Sequence, residues 1–225
     1  PDRRCVGSWQ VSLTFKSTLM DSLREWVSPA KEMCYTALIS FCKEALSMQV
    51  SKAYGHAPQA FETPLQRQVY ETLAKLDMPF LRVDTTPAVT MEDCIPIDRE
   101  LQVQTVKTLF LCNRQQTEYY LFVTPGDKPF RTRDVSHALG VSRLSFAPAE
   151  CLPQKLGTIL GATTVFSVLL DTARDVTLVF DRQAIETRWY GCTDGTTTGY
   201  MKVRTDQLLQ RFLPCAGHGY TVVDV

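Results

Sequence analysis

The sequence lacks an excess of charge and any long apolar run. Its 225 residues hold 24 Lys and Arg against 24 Asp and Glu, so the formal net charge is zero. We therefore do not expect the one-signed surface of a strongly basic nucleic-acid-binding protein. No stretch reaches the ~18 apolar residues of a membrane span, and no pattern of a secretory signal is present. These absences favour a cytoplasmic protein that does not contact a membrane.

The sequence also has few groups that could bind a metal or act as a nucleophile. None of the eight cysteines forms a CxxC pair, and there are only three histidines. Clustered ligands of the kind that hold zinc are missing, so we expect no metal and no cofactor. A chain of this length can build a core without disulfides, and we interpret the cysteines as reduced thiols. The motifs GxSxG, GxGxxG, HExxH and Walker A are absent as well.

The hydrophobic pattern predicts alternating helices and strands from Thr63 onward. Thr63, followed by Pro64 and then by Gln66, has the arrangement of a helix N-cap. Two apolar strands at 105–112 and 118–124 flank a polar turn. Further helices are expected at 132–140, 148–156 and 207–212, and further strands at 80–83, 176–180, 201–204 and 220–223. The pattern is typical of an α/β (α+β) domain with a mixed β-sheet core flanked by helices.

Residues 1–62 differ from the rest of the chain. Apolar positions across 33–48 have helical spacing, and 53–61 resembles a linker that contains Gly and Pro. We therefore divide the chain into an N-terminal extension, 1–62, of unknown role and a domain, 63–225.

Lys107 is the most informative charged residue. Strand alternation places it on the same face as Leu109 and Leu111, where a lysine is costly unless it reaches water or a partner. Either the ammonium extends to solvent from the end of the strand, or it lies at the mouth of a pocket and holds a phosphate or an oxyanion.

Two loops are further candidates. The loop 160–165 (LGATTV) contains a glycine and small residues that let a backbone approach a ligand, although it could be an ordinary turn. The loop 191–199 (GCTDGTTTG) is rich in hydroxyls and could bind a polar ligand or form a solvated hairpin. Within it, Cys192 has no basic neighbour that would activate it, and we interpret it as a small structural residue.

At these segments the sequence resembles the YbaK/ProX superfamily of aminoacyl-tRNA deacylases. It is most similar to the freestanding PrdX-type prolyl-tRNA editing proteins. The resemblance runs from Thr63 to Val225 and is carried by long ordered strings, among them VYETLAKLDMPFLRV (69–83), VKTLFLCNRQQTEYYLFVTPGDKPF (106–130) and FLPCAGHGYTVV (212–223). It does not cover the residues before Thr63.

The resemblance implies a YbaK-like domain that hydrolyses mischarged aminoacyl-tRNA. The substrate would be tRNA for proline carrying alanine or another small amino acid, and prolyl-tRNA synthetase is a possible partner. Members use neither a covalent nucleophile nor a metal. The family lysine, which contacts the 3′ end of the tRNA and its ester, corresponds to Lys107. The residue beside it is Thr108, and the substrate loop corresponds to Gly161, Ala162 and Thr163.

The chain departs from the family pattern at four positions. Thr108 replaces an asparagine, and the substrate loop ends in Val165 instead of proline. Thr193 stands where the family has a histidine that contributes to the amino-acid pocket, and Thr197 where it has an asparagine. These changes leave open a second hypothesis, a noncatalytic module that binds tRNA or a synthetase. Four cations could form a local basic rim near the pocket: Lys128, Arg131, Arg133 and Arg143.

Overall fold

The computed structural model describes residues 48–225. The helix expected across 33–48 therefore lies outside the described residues, apart from Met48. Helix α1, Pro64–Lys75, begins as the sequence predicts. The Thr63 side chain accepts a hydrogen bond from the Gln66 amide at 3.0 Å. This bond satisfies one of the amide groups that a helix start leaves without a partner.

The remaining helices are short. Helix α2 spans Cys94–Leu101, α3 spans Thr132–Leu139 and α4 spans Arg182–Ile185. Single π-helical and 3₁₀ turns cover Leu152–Leu156, Val165–Leu169 and Asp171–Ala173. A final helical segment runs through Thr205–Gln207, Leu208–Phe212 and Leu213–Cys215. Gly140 ends α3 in the left-handed conformation (φ 65°), which a glycine adopts without steric cost.

Within the described residues, 48–225, eight strands form two sheets. They are β1 (Phe80–Asp84), β2 (Val106–Cys112), β3 (Tyr119–Pro125), β4 (Ser145–Phe146), β5 (Val176–Asp181), β6 (Trp189–Thr193), β7 (Gly199–Arg204) and β8 (Tyr220–Val223). One sheet is mixed and has the order β4-β2-β3-β5-β8, with β3, β5 and β8 parallel. The other is antiparallel and has the order β1-β7-β6. The mixed α/β class expected from the sequence is confirmed, although the sheet is divided in two.

The mixed sheet is apolar on both faces, as the continuous apolar strands predict. One face places Phe110, Leu121 and Phe180 in the main core, which also contains the buried side of α1. The opposite face carries Leu111 and Phe122, which pack with Val135 of α3 and with Val179. Burial on both faces holds the strands firmly, so the edges of the sheet are the places where a ligand can approach.

Residues 48–62 lie against the edge of β1. Val50 pairs with Thr85 and Tyr54 pairs with Arg82 through isolated antiparallel bridges. The division at residue 62 stays a prediction, which we retain as a proposal. The structure adds that residues 48–62, the end of the predicted extension, contact β1.

Two secondary-structure predictions differ from the structure. The stretch 191–199, expected to be a ligand-binding loop or a solvated hairpin, is the turn of the hairpin between β6 and β7, but it begins with the second half of β6 and most of it is buried. The helix expected at 148–156 is reduced to the π-helical turn Leu152–Leu156. The pattern was misleading at β6 because a hydroxyl and glycine composition is typical of loops, whereas here the Thr193 hydroxyl donates to the Thr196 carbonyl and the Thr196 hydroxyl donates to the Asp194 carboxylate.

A buried polar network joins α1, β1 and the end of β6. The Asp194 carboxylate, which is fully buried, accepts hydrogen bonds from the Tyr70 hydroxyl at 2.8 Å and from the side-chain amide of Gln66 at 2.9 Å. The guanidinium of Arg82 lies 3.9 Å away and faces the rings of Tyr54 and Tyr70. Burial raises the pKa of the Tyr70 phenol, and the nearby Asp194 charge raises it further. Tyr70 therefore remains a donor at neutral pH.

We expect Asp194→Ala to lower the free energy of unfolding by about 3–5 kcal/mol, since the buried donors of Tyr70 and Gln66 would lose their acceptor and Arg82 would keep only the half-exposed Asp84 as a counter-charge. Asp194→Asn, which keeps one acceptor, should cost less. Asp171→Ala is the matched control, because Asp171 is exposed and pairs with Arg174 at the surface, where such pairs contribute about 0–1 kcal/mol. Urea denaturation measures all three variants. Equal losses for Asp194→Ala and the control would contradict this role of the network.

Candidate functional site

A cleft of about 340 Å³ opens along one edge of β2. Its walls come from β2 itself, the end of β6, the segment after β4, and two loops at 89–91 and 160–163. Of the six residues singled out from the sequence, five line this cleft: Lys107, Thr108, Gly161, Thr163 and Thr193. The sixth, Ala162, is fully buried and lies behind the cleft surface. The structure thus brings together residues that are up to 86 positions apart in the chain (193 minus 107).

The edge of β2 in the cleft has backbone groups without strand partners. Val106 lies opposite Pro125, which has no N–H, so the polar groups of Val106 point away from β3. Strand alternation turns the backbone of Thr108 and Phe110 in the same direction. At one end a bridge joins Thr105 to Gly191, and at the other the Phe110 carbonyl accepts the Ala147 amide at 2.9 Å.

Thr108 therefore lies in a gap between two pairing partners. Among residues 48–225, its only strand partner is Val123 of β3, on the opposite edge. Its N–H and C=O face the cleft, where they can bind a ligand. Its side chain points into the core, toward the phenol of Tyr190, whose pKa is raised by complete burial. The backbone of Thr108, more than its hydroxyl, is the group available to a ligand.

Lys107 occupies the face that strand alternation predicts. Its ammonium donates to the carbonyl of Lys128 at 2.9 Å, and the residue is half-buried. An ammonium has three N–H groups, so this bond orients the lysine and leaves two donors. Lys128 in turn pairs with the buried carboxylate of Asp181 at 2.7 Å. Lys128 is therefore tied to the sheet, and it does not extend as a free cation of the basic rim.

The loop at Gly161 needs a glycine for two independent reasons. Its φ is +87°, and an added Cβ would lie 3.0–3.3 Å from atoms of Val89 on the facing wall. The loop is held to β6 by Thr164, whose hydroxyl donates to the Thr193 carbonyl at 2.8 Å. Gly161 thus sets the width of the cleft. Thr163 is half-buried and lines the same wall.

Thr193 lines the cleft, but its hydroxyl is already used. It donates to the Thr196 carbonyl and accepts the Gly195 amide at 3.2 Å. The single hydroxyl proton is thus spent within the turn that follows β6. We infer that Thr193 shapes the wall and keeps no donor for a ligand.

The cleft contains no activated thiol. Burial raises the pKa of the Cys192 thiol, while the Thr164 hydroxyl lowers it in part. Burial also raises the pKa of Cys94, on the opposite wall, to about 12. Both groups are therefore neutral near pH 7, which argues against a thiolate nucleophile.

Several cleft residues were not found from the sequence. Val89, Met91, Phe146 and Ala147 all line the cavity. They come from short connecting segments whose position depends on the two sheets, so periodicity carries no information about them. The one sequence feature that marks Phe146 is that an aromatic residue lies within a short polar stretch.

The chain belongs to the family described as the aminoacyl-tRNA editing domain. The sequence profile of that family matches residues 85–210, which include every residue that lines the cleft. The match covers more than half of the chain.

Two relatives are similar to this chain over somewhat more than half of its length. The chain is 29% identical over 120 residues to the prolyl-tRNA editing protein ProX of Acetoanaerobium sticklandii, a match that covers 53% of this chain and 73% of the relative. It is also 29% identical over 134 residues to prolyl-tRNA synthetase associated domain-containing protein 1 of Danio rerio, covering 60% of this chain and 71% of the relative.

Solved structures support the fold. A crystal structure described as that of a candidate trans-editing enzyme for prolyl-tRNA synthetase has a TM-score of 0.53 and 17% identity, and the match covers 73% of this chain and 98% of that one. A scaffold from an epitope-grafting design study has a TM-score of 0.54 and 16% identity, covering 72% of this chain and 97% of that one. At such identities the likeness concerns the fold alone.

Two further observations concern the described part of the chain. Over residues 48–225, no helix has the length and apolarity needed to cross a bilayer. In the same range, His, Cys, Asp and Glu side chains form no group of three that could hold a metal ion.

Gly161→Ala should destabilise the protein more than Gly140→Ala. Both glycines have positive φ, but nothing lies within 4 Å of an added Cβ at Gly140. The control therefore measures backbone strain alone, about 1 kcal/mol, whereas Gly161→Ala must also displace Val89. Urea denaturation of both variants gives the comparison. A loss at Gly161 no greater than that at Gly140 would contradict the tight approach of the loop to Val89.

Alkylation should separate the exposed cysteine from the buried ones. We expect iodoacetamide at pH 8 to modify Cys215, which is exposed, and to leave Cys94 and Cys192 unmodified until urea unfolds the protein. The raised pKa values and the burial of both thiols act in the same direction. Peptide mass spectrometry with and without urea makes the measurement. Rapid modification of Cys192 in the folded protein would show an accessible thiolate.

Proposed function

We propose that this protein is a trans-editing hydrolase that deacylates mischarged tRNA. The substrate is tRNA for proline carrying alanine or another small amino acid, and the bond cleaved is the ester to the terminal adenosine. The observation that carries the proposal is the cleft itself. Lys107, the free edge of β2 and the Gly161 loop converge there, inside the segment that matches the editing-domain family. The names of both relatives refer to prolyl-tRNA editing or prolyl-tRNA synthetase.

The groups in the cleft suit ester hydrolysis by water. Water attacks the carbonyl carbon, the carbon–oxygen ester bond breaks, and the ribose oxygen leaves with a proton. The products are the free amino acid and tRNA with its terminal hydroxyl restored. Negative charge develops on the carbonyl oxygen in the transition state, and a backbone N–H held in place stabilises it there. The Thr108 amide has this role in our proposal.

Lys107 supplies positive charge to the same reaction. One N–H of its ammonium is held by the Lys128 carbonyl, so the remaining two point in restricted directions. They contact the phosphate of the terminal nucleotide or the ester region. A prior bond to the protein reduces the entropy that Lys107 loses when the substrate binds.

The size of the cleft is consistent with a small amino acid. A volume near 340 Å³ lies at the low end of ligand sites. Such a site complements a synthetase, since a pocket built for proline discriminates weakly against smaller side chains, by about 1–3 kcal/mol per methylene. Prolyl-tRNA synthetase is the partner we propose as the source of the mischarged substrate.

One observation favours a second function, a noncatalytic module that binds tRNA or a synthetase. Thr193 stands at the position of the family histidine, and its hydroxyl proton is spent on Thr196. The imidazole contact is thus not replaced by a new donor. The intact Lys107 and the unpaired Thr108 amide weigh toward the enzyme.

Deacylation of tRNA for proline tests the proposal. We expect hydrolysis of at least one of the alanyl, cysteinyl and seryl esters, and slower hydrolysis of the prolyl ester. Lys107→Ala should lower the rate by about 10²–10³-fold, the cost of removing one charge-stabilising donor. Lys75→Ala, which changes an exposed lysine on α1, is the matched control and should leave the rate unchanged.

The binding module predicts a different result. Wild-type protein would then hydrolyse none of the four esters, while it still bound tRNA or the synthetase. A rate that is the same in Lys107→Ala and in wild type would contradict the assignment of Lys107 even if the protein were an enzyme.

A further inference from the structure

An aromatic ring lies exposed at the mouth of the cleft. Phe146 is 58% exposed, although phenylalanine is usually buried, and it forms part of the cleft wall. Phe130 supports it from behind, with ring centroids 5.7 Å apart, and Phe130 also contacts Phe122 of the sheet at 5.7 Å. The ring of Phe146 is therefore fixed in position while much of its surface remains open to solvent.

Three exposed arginines lie close in the sequence to Phe130 and Phe146: Arg131, Arg133 and Arg143. Arg131 directly follows Phe130. Arg143 precedes Phe146 by three residues, so the Cα atoms of Arg143 and Phe146 are at most about 10 Å apart. Arg133 and Arg143 line an open recess of about 430 Å³ together with Thr132 and Ser136. Within residues 48–225, none of these three arginines forms a salt bridge or a side-chain hydrogen bond. Other exposed arginines, such as Arg174 and Arg182, are paired with aspartates.

An unpaired cationic recess next to an exposed aromatic has the chemistry of a single-stranded nucleic-acid site. Guanidinium groups bind phosphates, and every base has a face that can stack on an aromatic ring. A docked protein would also bury Phe146, but it would be expected to pair the arginines with its own acidic groups. The continuity of Phe146 with a cleft that holds a phosphate-binding lysine favours RNA.

We propose that Phe146, Arg133 and Arg143 bind the single-stranded 3′ end of the RNA whose terminal ester enters the cleft. The ring of Phe146 stacks on a base at the cleft mouth, and the two arginines hold backbone phosphates in the recess. The inference rests on the proposed function for the identity of the ester. It also explains how a chain with zero net charge binds a polyanion, because the positive charge is concentrated where the strand must pass.

Two substrates distinguish the contribution of the arginines from that of Phe146. The first is alanyl-tRNA for proline, and the second is alanyl-adenosine, which has the ester and the base but no phosphate. Arg133→Gln with Arg143→Gln should lower kcat/KM for the tRNA at least tenfold and leave alanyl-adenosine unaffected. Phe146→Ala should slow both reactions about tenfold, the usual effect of losing one base–aromatic stack. Arg67→Gln with Arg99→Gln, two exposed arginines on α1 and α2, is the matched control.

Binding of uncharged tRNA tests the inference even if no ester is hydrolysed. Each phosphate contact with a single strand contributes about 0.7 to the slope of log Kd against log salt concentration. The Arg133 and Arg143 double variant should therefore reduce the slope by about 1.4, and the control should keep the wild-type slope. If the slope and the Kd of the double variant equalled those of wild type, the inference would be overturned. It would also be overturned if the double variant lost binding to the synthetase but kept binding to RNA. If wild-type protein bound RNA as described but hydrolysed neither ester, the proposed hydrolase function would be refuted and the RNA-binding inference would stand.

Discussion

The candidate site depends on a gap in the hydrogen bonding of one strand edge. Strand β2 is paired along its whole length with β3, and its second half, from Phe110 to Cys112, is buried. Among residues 48–225, its other edge is paired only at the ends, through Gly191 of β6 and through β4 with Ala147. Between these points the backbone of Thr108 faces a cleft. Unpaired backbone groups are costly in a buried place, so this gap persists only where water or a ligand can satisfy it.

The two sheets produce this gap. The antiparallel sheet approaches β2 at Thr105, where Gly191 forms a bridge, and then moves away from β2. It does so because β6 is joined to β7 by a tight hairpin, whose turn is held by hydrogen bonds of threonine hydroxyls. The buried Asp194 receives donors from α1 and from the hairpin, so it links the position of β6 to the rest of the core. The cleft wall at Thr193 is in this way supported from behind by a polar network that has no direct access to the ligand.

Much of the architecture could be predicted because local signals agreed with the final structure. The N-cap at Thr63, the hairpin between β2 and β3 and the glycine that ends α3 all depend on neighbours in the chain. The convergence of Lys107 with Gly161 came from the family resemblance, since no periodicity relates positions so far apart. The strand at β6 was missed because threonine and glycine are read as loop residues until their hydrogen-bond partners are known.

The roles of individual threonines were beyond the reach of the sequence. Thr193 and Thr108 both suggest a hydroxyl that could contact a ligand. In the structure one hydroxyl is used within a turn and the other points into the core, and the available group is a backbone amide. Such distinctions depend on side-chain direction, which strand alternation gives only after the strand and its pairing are established.

The most direct measurement of the central claim is the NMR signal of the Thr108 amide during titration with an adenosine that carries alanine through a non-hydrolysable 3′-amide. Our account predicts a saturable shift of this signal and slower hydrogen exchange, because the amide gains an acceptor in the cleft. The amides of Lys107 and Leu109, which face β3, should change little. Saturable binding that leaves the Thr108 amide unchanged would contradict the account, since the ligand would then occupy another part of the protein.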